Sequence, residues 1–92
     1  MTEASRFMDK RDRFAVNLRH ARQAAGISQE ELAERCELHR TEVSLLERGG
    51  REPRLGTLIK LATALGTTAE ALCAGIGWDA KARDYKIDAP AD

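Results

Sequence analysis

Gly26-Ile27-Ser28-Gln29-Glu30-Glu31-Leu32-Ala33, followed within a few residues by Leu38-His39-Arg40-Thr41-Glu42-Val43-Ser44-Leu45-Leu46-Glu47-Arg48, is the stretch whose reading decides the fold. Ser28 is a good helix cap, and Glu31 three residues later predicts a reciprocal capping box. Ile27 and Leu32 have the spacing of a hydrophobic staple, and Glu30 and Glu31 suit the positive end of the helix dipole. A helix therefore starts at Gln29, with Leu32, Ala33 and Cys36 facing inward. It must be short, because the start signal repeats. Leu38 and Val43 have the same staple spacing, and Glu42 lies three residues after His39. Histidine caps poorly, so the second box is only half present. This next helix ends near Arg48, at Gly49-Gly50.

Working outward, Asp9 to Ala25 predicts an earlier helix with Phe14, Leu18, Ala21 and Ala25 on one stripe and Gly26 as its stop. Phe7 could extend that stripe by a turn. Downstream, the loop Gly49–Pro53 leads to a helix over Leu55–Leu65 with Leu55, Leu58, Ala62 and Leu65 on its apolar face, stopped by Gly66. Thr67 or Thr68 then caps a short helix to about Ala74, closed by Gly75. In the tail, Ile76, Trp78, Tyr85 and Ile87 alternate with polar residues around Asp79–Asp84. That pattern fits a hairpin, a strand pairing with a partner subunit, or a loosely ordered tail, with Ala89–Asp92 frayed. The expected architecture is all-α with five helices and a short C-terminal β segment. Residues 1–13 form an arm and the start of the first helix, 14–75 the folded domain, and 76–92 the tail.

A chain of 92 residues holds one domain with one small core. Hydrophobic residues make up 42% and aromatics 4%, so that core is built from Leu, Ile, Val and Ala. Two cysteines, Cys36 and Cys73, are too few for a disulfide framework. Charges in Met1–Lys10 argue against a signal peptide, and no stretch approaches the ~18 apolar residues of a membrane span. The expected location is therefore the cytoplasm, at the nucleoid, with no membrane partner. Net charge is zero, yet Arg6 to Arg54 holds eleven basic and nine acidic residues, a net of +2. That balance neither supports nor excludes a nucleic acid. Cys36-x-x-His39 lacks the further ligands a zinc site needs, and no nucleophile triad or phosphate loop is present. The expectation is a protein that is not an enzyme and uses no metal or cofactor.

Two short helices joined by about three residues make a helix-turn-helix. At 100° per residue, a second helix that buries Val43, Leu46 and Glu47 turns Thr41, Ser44, Leu45 and Arg48 outward. None of these four is acidic, and Glu42 and Glu47 lie to the sides. Such an edge suits entry into a phosphate-lined groove.

The residues Leu18-Arg19, Arg22, Gly26-Ile27-Ser28-Gln29, Glu31-Leu32-Ala33, Val43-Ser44, Leu46-Glu47-Arg48-Gly49, Pro53, Leu58, Leu61-Ala62 and Leu65-Gly66 carry a resemblance. Over about Phe14 to Ala74 the chain resembles the Xre/Cro–CI helix-turn-helix regulators of bacteria and phages. The resemblance implies a five-helix lambda-repressor-like domain, double-stranded DNA as partner, and a homodimer. It implies that Gln29 binds phosphate and buttresses the recognition helix. Arg40, Thr41 and Leu45 match positions that face base edges, and Arg22 with Glu47 matches a buried ion pair. The chain departs from the family pattern in two places: Glu37 stands at a turn position often held by Gly, and His39 replaces the usual Ser or Thr cap. Leu45 can only pack on a thymine methyl, which leaves Arg40 as the candidate reader of guanine. The candidate DNA-contacting set is Gln29, His39, Arg40, Thr41, Ser44, Leu45, Arg48, Arg51 and Arg54. Leu72, Ile76 and Trp78 are the candidate dimer seam, with Trp78 alternatively completing its own core. The expected function is a dimeric sequence-specific transcription regulator on a palindromic operator. The alternatives are an antitoxin that also masks a toxin, and a protein-interaction module that keeps the fold without binding DNA.

Overall fold

Asp9 starts the first helix, α1 (Lys10–Ala25), by accepting from the Arg11 and Asp12 amides while Asp12 Oδ2 accepts from the Asp9 amide. This reciprocal box satisfies donors that a helix start otherwise leaves orphaned. The Asp9 carboxyl is pushed up by burial, but the Asp12 amide and Arg11 outweigh that and hold it below its usual value. The structure is a computed structural model and describes residues 8–90. Phe7 and the rest of residues 1–7 lie outside the described residues, as do residues 91–92.

Gly26, left-handed at φ 71°, ends α1. Ser28 Oγ then caps α2 (Gln29–Cys36) by accepting from the Glu31 amide at 3.0 Å. The box predicted there is only half made. Glu31 turns instead to Arg35 one turn on, at 2.6 Å, where an opposite charge outcompetes a solvated amide. Glu37 closes α2 in the left-handed conformation (φ 55°, ψ 43°) that glycine adopts most easily, in keeping with a turn position often held by Gly. His39 precedes α3 (Arg40–Glu47) with no side-chain cap, so even half of the second box is missing. Its acid, Glu42, is taken by Arg51. After a loop come α4 (Leu55–Ala64) and α5 (Ala69–Leu72), the latter capped by Thr68 Oγ1 on the Ala71 amide. The tail is a hairpin: β1 (Ile76–Asp79) pairs antiparallel with β2 (Asp84–Ile87), Ile76 opposite Ile87 and Trp78 opposite Tyr85.

The core is where the five helices meet. Phe14 and Leu18 of α1, Leu32, Ala33 and Cys36 of α2, Val43 and Leu46 of α3, Leu61 and Ala62 of α4, and Leu72 of α5 are all buried. Full burial of each large aliphatic side chain is worth about 1.5–3 kcal/mol, which is what a chain this small has to offset its ordering entropy. Burial pushes the thiols of Cys36 and Cys73 up, so both stay protonated near neutral pH. Three expectations are corrected here. Ala25 is exposed, because the α1 stripe leaves the core after Ala21. Leu55 is 74% exposed: it is the first residue of α4, whose core contacts are made by Leu58, Leu61 and Ala62. Leu72 is only 1% exposed and fills its own core, so it cannot serve as a dimer seam.

The hairpin is tied to α1. Asn17 Nδ2 donates to the carbonyls of Leu72 (2.9 Å) and Ala74 (2.8 Å), and Arg13 Nε donates to Ala74 at 2.9 Å. Ile76 packs on the core, while Trp78 and Tyr85 meet edge-to-face on the outside with centroids 5.2 Å apart. Trp78 is exposed and does not fold back to complete the core. Among the described residues no helix is long and apolar enough to cross a membrane.

Candidate nucleic-acid interface

The turn at Glu37–His39 sets α3 across α2, and α1 backs α3 from inside. Val43, Leu46 and Glu47 face inward as the helical spacing requires. On the opposite side Arg40, Thr41 and Arg48 are exposed, and Ser44 and Leu45 are half-buried. Leu45 leans toward the loop, where a Cβ on Gly50 would come 3.0 Å from its Cδ2. Arg48 Nε donates to the Ser44 carbonyl at 3.3 Å, at the rim of that edge.

Glu47 anchors α3 to the rest of the domain. Its carboxylate accepts from Arg22 at two points, Nε to Oε2 at 2.6 Å and Nη2 to Oε1 at 3.0 Å. Gln29 Nε2 adds a third bond to Oε1 at 3.1 Å. Arg22 also reaches the Ile27 carbonyl at 3.0 Å, and Arg19 Nη1 donates to the Glu47 carbonyl at 2.8 Å. The hydrogen bonds that Arg22 donates to Glu47 hold its guanidinium above its ordinary value, against the burial that opposes it. A forked Arg–carboxylate pair of this kind has little freedom to rotate. Position and tilt of α3 are thereby set relative to α1 and to the start of α2. Gln29 thus touches α3 directly, through a residue at its buried end.

Arg40 and Arg51 at the edge have acidic partners. Arg40 Nε lies 3.0 Å from Glu30 Oε1 of α2, both side chains well exposed. Arg51 Nη1 meets Glu42 Oε1 at 2.5 Å. His39, Arg51 and Arg54 share a cleft of about 670 Å³ with Glu37, Glu42 and Glu52. Within α3 the outward edge is free of acids, as the helical spacing predicts, but Glu30 comes to it from the neighbouring helix. No sequence signal marks Glu30 for this, since it reads only as a favourable first-turn acid. Arg19 and Asn17 also hold the framework, and both were missed because their bonds go to backbone carbonyls distant in sequence.

A helix-turn-helix family model matches residues 18–72, from α1 to the end of α5. The chain belongs to that family. It is a helix-turn-helix regulator of the Xre/Cro–CI type, with the five-helix arrangement of lambda-repressor-like domains. The control protein C.SmaI of Serratia marcescens is 47% identical over 62 residues, 67% of this chain and 74% of that protein. The crystal structure of the hypothetical transcription factor NHTF from Neisseria superposes with a TM-score of 0.67 at 45% identity, covering 71% of this chain and 75% of that one. The restriction-modification controller C.AhdI of Aeromonas hydrophila superposes with a TM-score of 0.65 at 42% identity, covering 67% and 94%. The hairpin of this helix-turn-helix protein lies beyond the residues that the family model matches.

Proposed function

We propose that this regulator binds a palindromic operator as a two-fold dimer and reads each half-site with α3 in the major groove. The observation that supports this reading is the outward edge at α3, on which Arg40, Thr41 and Arg48 are exposed and no acid of that helix stands. Arg40 at the helix start forks onto a guanine, Thr41 and Ser44 contact the neighbouring bases or backbone, and Leu45 packs on a thymine methyl. Gln29, Arg48, Arg51 and Arg54 bind phosphates on either side, with His39 at the rim. In a dimer the two recognition helices fall ~34 Å apart, in successive major grooves. With Leu72 buried, the seam shifts to the exposed pair Leu55 and Ile59 of α4, one turn apart on the same row, with Trp78 of β1 as the other exposed apolar candidate. Likeness to two control proteins favours a stand-alone regulator over an antitoxin.

Selecting bound duplexes from a random pool tests this reading. The expected product is a symmetric site with half-sites one helical turn apart and an affinity that falls steeply with salt. Arg40→Ala should weaken binding by about 1–3 kcal/mol and relax preference at one base position of each half-site. A wild-type protein that enriches no sequence, or that shows no salt-dependent affinity for any duplex, would overturn the reading in favour of a protein-interaction module.

A further inference from the structure

We propose that Glu30 determines the DNA specificity of this regulator by holding Arg40. This assignment rests on the DNA-binding reading above and names a residue on the other helix of the motif. Glu30 is the second residue of α2 and Arg40 the first of α3, and the turn brings Glu30 Oε1 to 3.0 Å from Arg40 Nε. Because the contact is made at Nε, the two terminal amino groups of the guanidinium stay available, and these can fork onto the O6 and N7 of a guanine. A phosphate, in contrast, is attracted by net charge. Glu30 already neutralises that charge and repels an approaching phosphate as well. The carboxylate thus costs a backbone contact more than it costs a guanine contact. Non-specific binding comes almost wholly from phosphate neutralisation, so it bears the larger penalty.

The pair is exposed on both sides, and its strength is modest: contacts of this class shift an equilibrium by about fivefold at most. That is enough to matter in a chain of zero net charge, because Arg40 and Arg51 at this edge both already face an acid. Glu30 is a positioning residue here, because it acts through Arg40 and touches no base.

The test compares wild type with Glu30→Gln on two duplexes of equal length, the selected operator and a random sequence, across a range of salt. Glu30→Gln should tighten binding to the random duplex by about three- to fivefold and steepen its salt dependence by about one unit of log–log slope. Operator affinity should change less than twofold, so the specificity ratio falls. In an Arg40→Gln background the same substitution should leave the ratio unchanged. An unaltered ratio in the wild-type background, whether neither affinity moves or both rise together, would overturn the proposal. A fall in the ratio that persists without Arg40 would also overturn it, as an effect of general charge. Wild type that binds neither duplex would bring down the DNA-binding reading itself, which is a separate failure. Thermal unfolding by circular dichroism should place the Glu30→Gln melt within a few degrees of wild type, since both side chains are solvated.

Discussion

Glu47 is 3% exposed, and its carboxylate takes three side-chain hydrogen bonds, two from Arg22 and one from Gln29. A buried charge is tolerable only with such partners, because desolvation alone costs several kcal/mol. Replacing it exposes the asymmetry: Glu47→Ala leaves Arg22, itself only partly solvated, with an unpaired guanidinium beside the core. The expected loss is about 3 kcal/mol of folding stability, a large share of what a domain this size has. Urea unfolding monitored by circular dichroism would measure it. A loss under about half a kcal/mol would mean that solvent reaches the pair and that it does not set the place of α3. Arg22→Ala should be as damaging, since the carboxylate it abandons is the more deeply buried partner.

At the turn between α2 and α3, Glu37 takes the left-handed conformation that costs a residue with a Cβ about 1 kcal/mol. The side chain is exposed, so Glu37→Gly removes the strain without emptying a packed site. It should stabilise the domain by several tenths to about 1 kcal/mol, raising the melting temperature by about 4–8 °C at the upper end. Calorimetry would show it, and a lower melting temperature would mean that Glu37 makes a compensating contact in its cleft. Helix α2 shows how far sequence alone carries. Its start at Ser28 and its inward residues follow from local chemistry within a few residues, which is why they were legible, whereas its turn at Glu37 was marked only by the family resemblance. The inward set of α3 follows in the same way from a fixed 100° step. The use of Glu31 and Glu42 was not legible. Each acid had two suitors, a backbone amide nearby and an arginine, and the winner depended on where Arg35 and Arg51 end up. Leu55 failed for a related reason: apolar spacing says that a side chain prefers burial, but not whether its own chain supplies the cover. The hairpin was one of three readings of an alternating tail. The bonds of Asn17 and Arg13 to the α5–β1 junction, which seat it, link residues about sixty positions apart.

On the scale of the molecule, 40 × 25 × 21 Å, the apolar surface that remains outside is uneven. Leu55 and Ile59 point out from α4, whose first turn follows directly on the loop that carries Arg51 and Arg54. In the proposed dimer, a two-fold axis beside α4 would bury the same row from both copies, as a self-complementary seam must, close to the loop proposed to face DNA. Ile59→Glu places two carboxylates against each other at such an axis. It should yield a monomer by sedimentation while the melting curve of the single domain stays nearly unchanged, because Ile59 lies outside the core. Binding to a full palindrome should then weaken by about a hundredfold or more as the avidity of two linked half-sites is lost, with half-site affinity unaffected. Leu72→Ala provides the contrast: it removes a side chain buried to 1% and should destabilise each protomer by about 2–5 kcal/mol. A dimer that survives Ile59→Glu would move the seam away from α4, to the exposed ring of Trp78 on the hairpin.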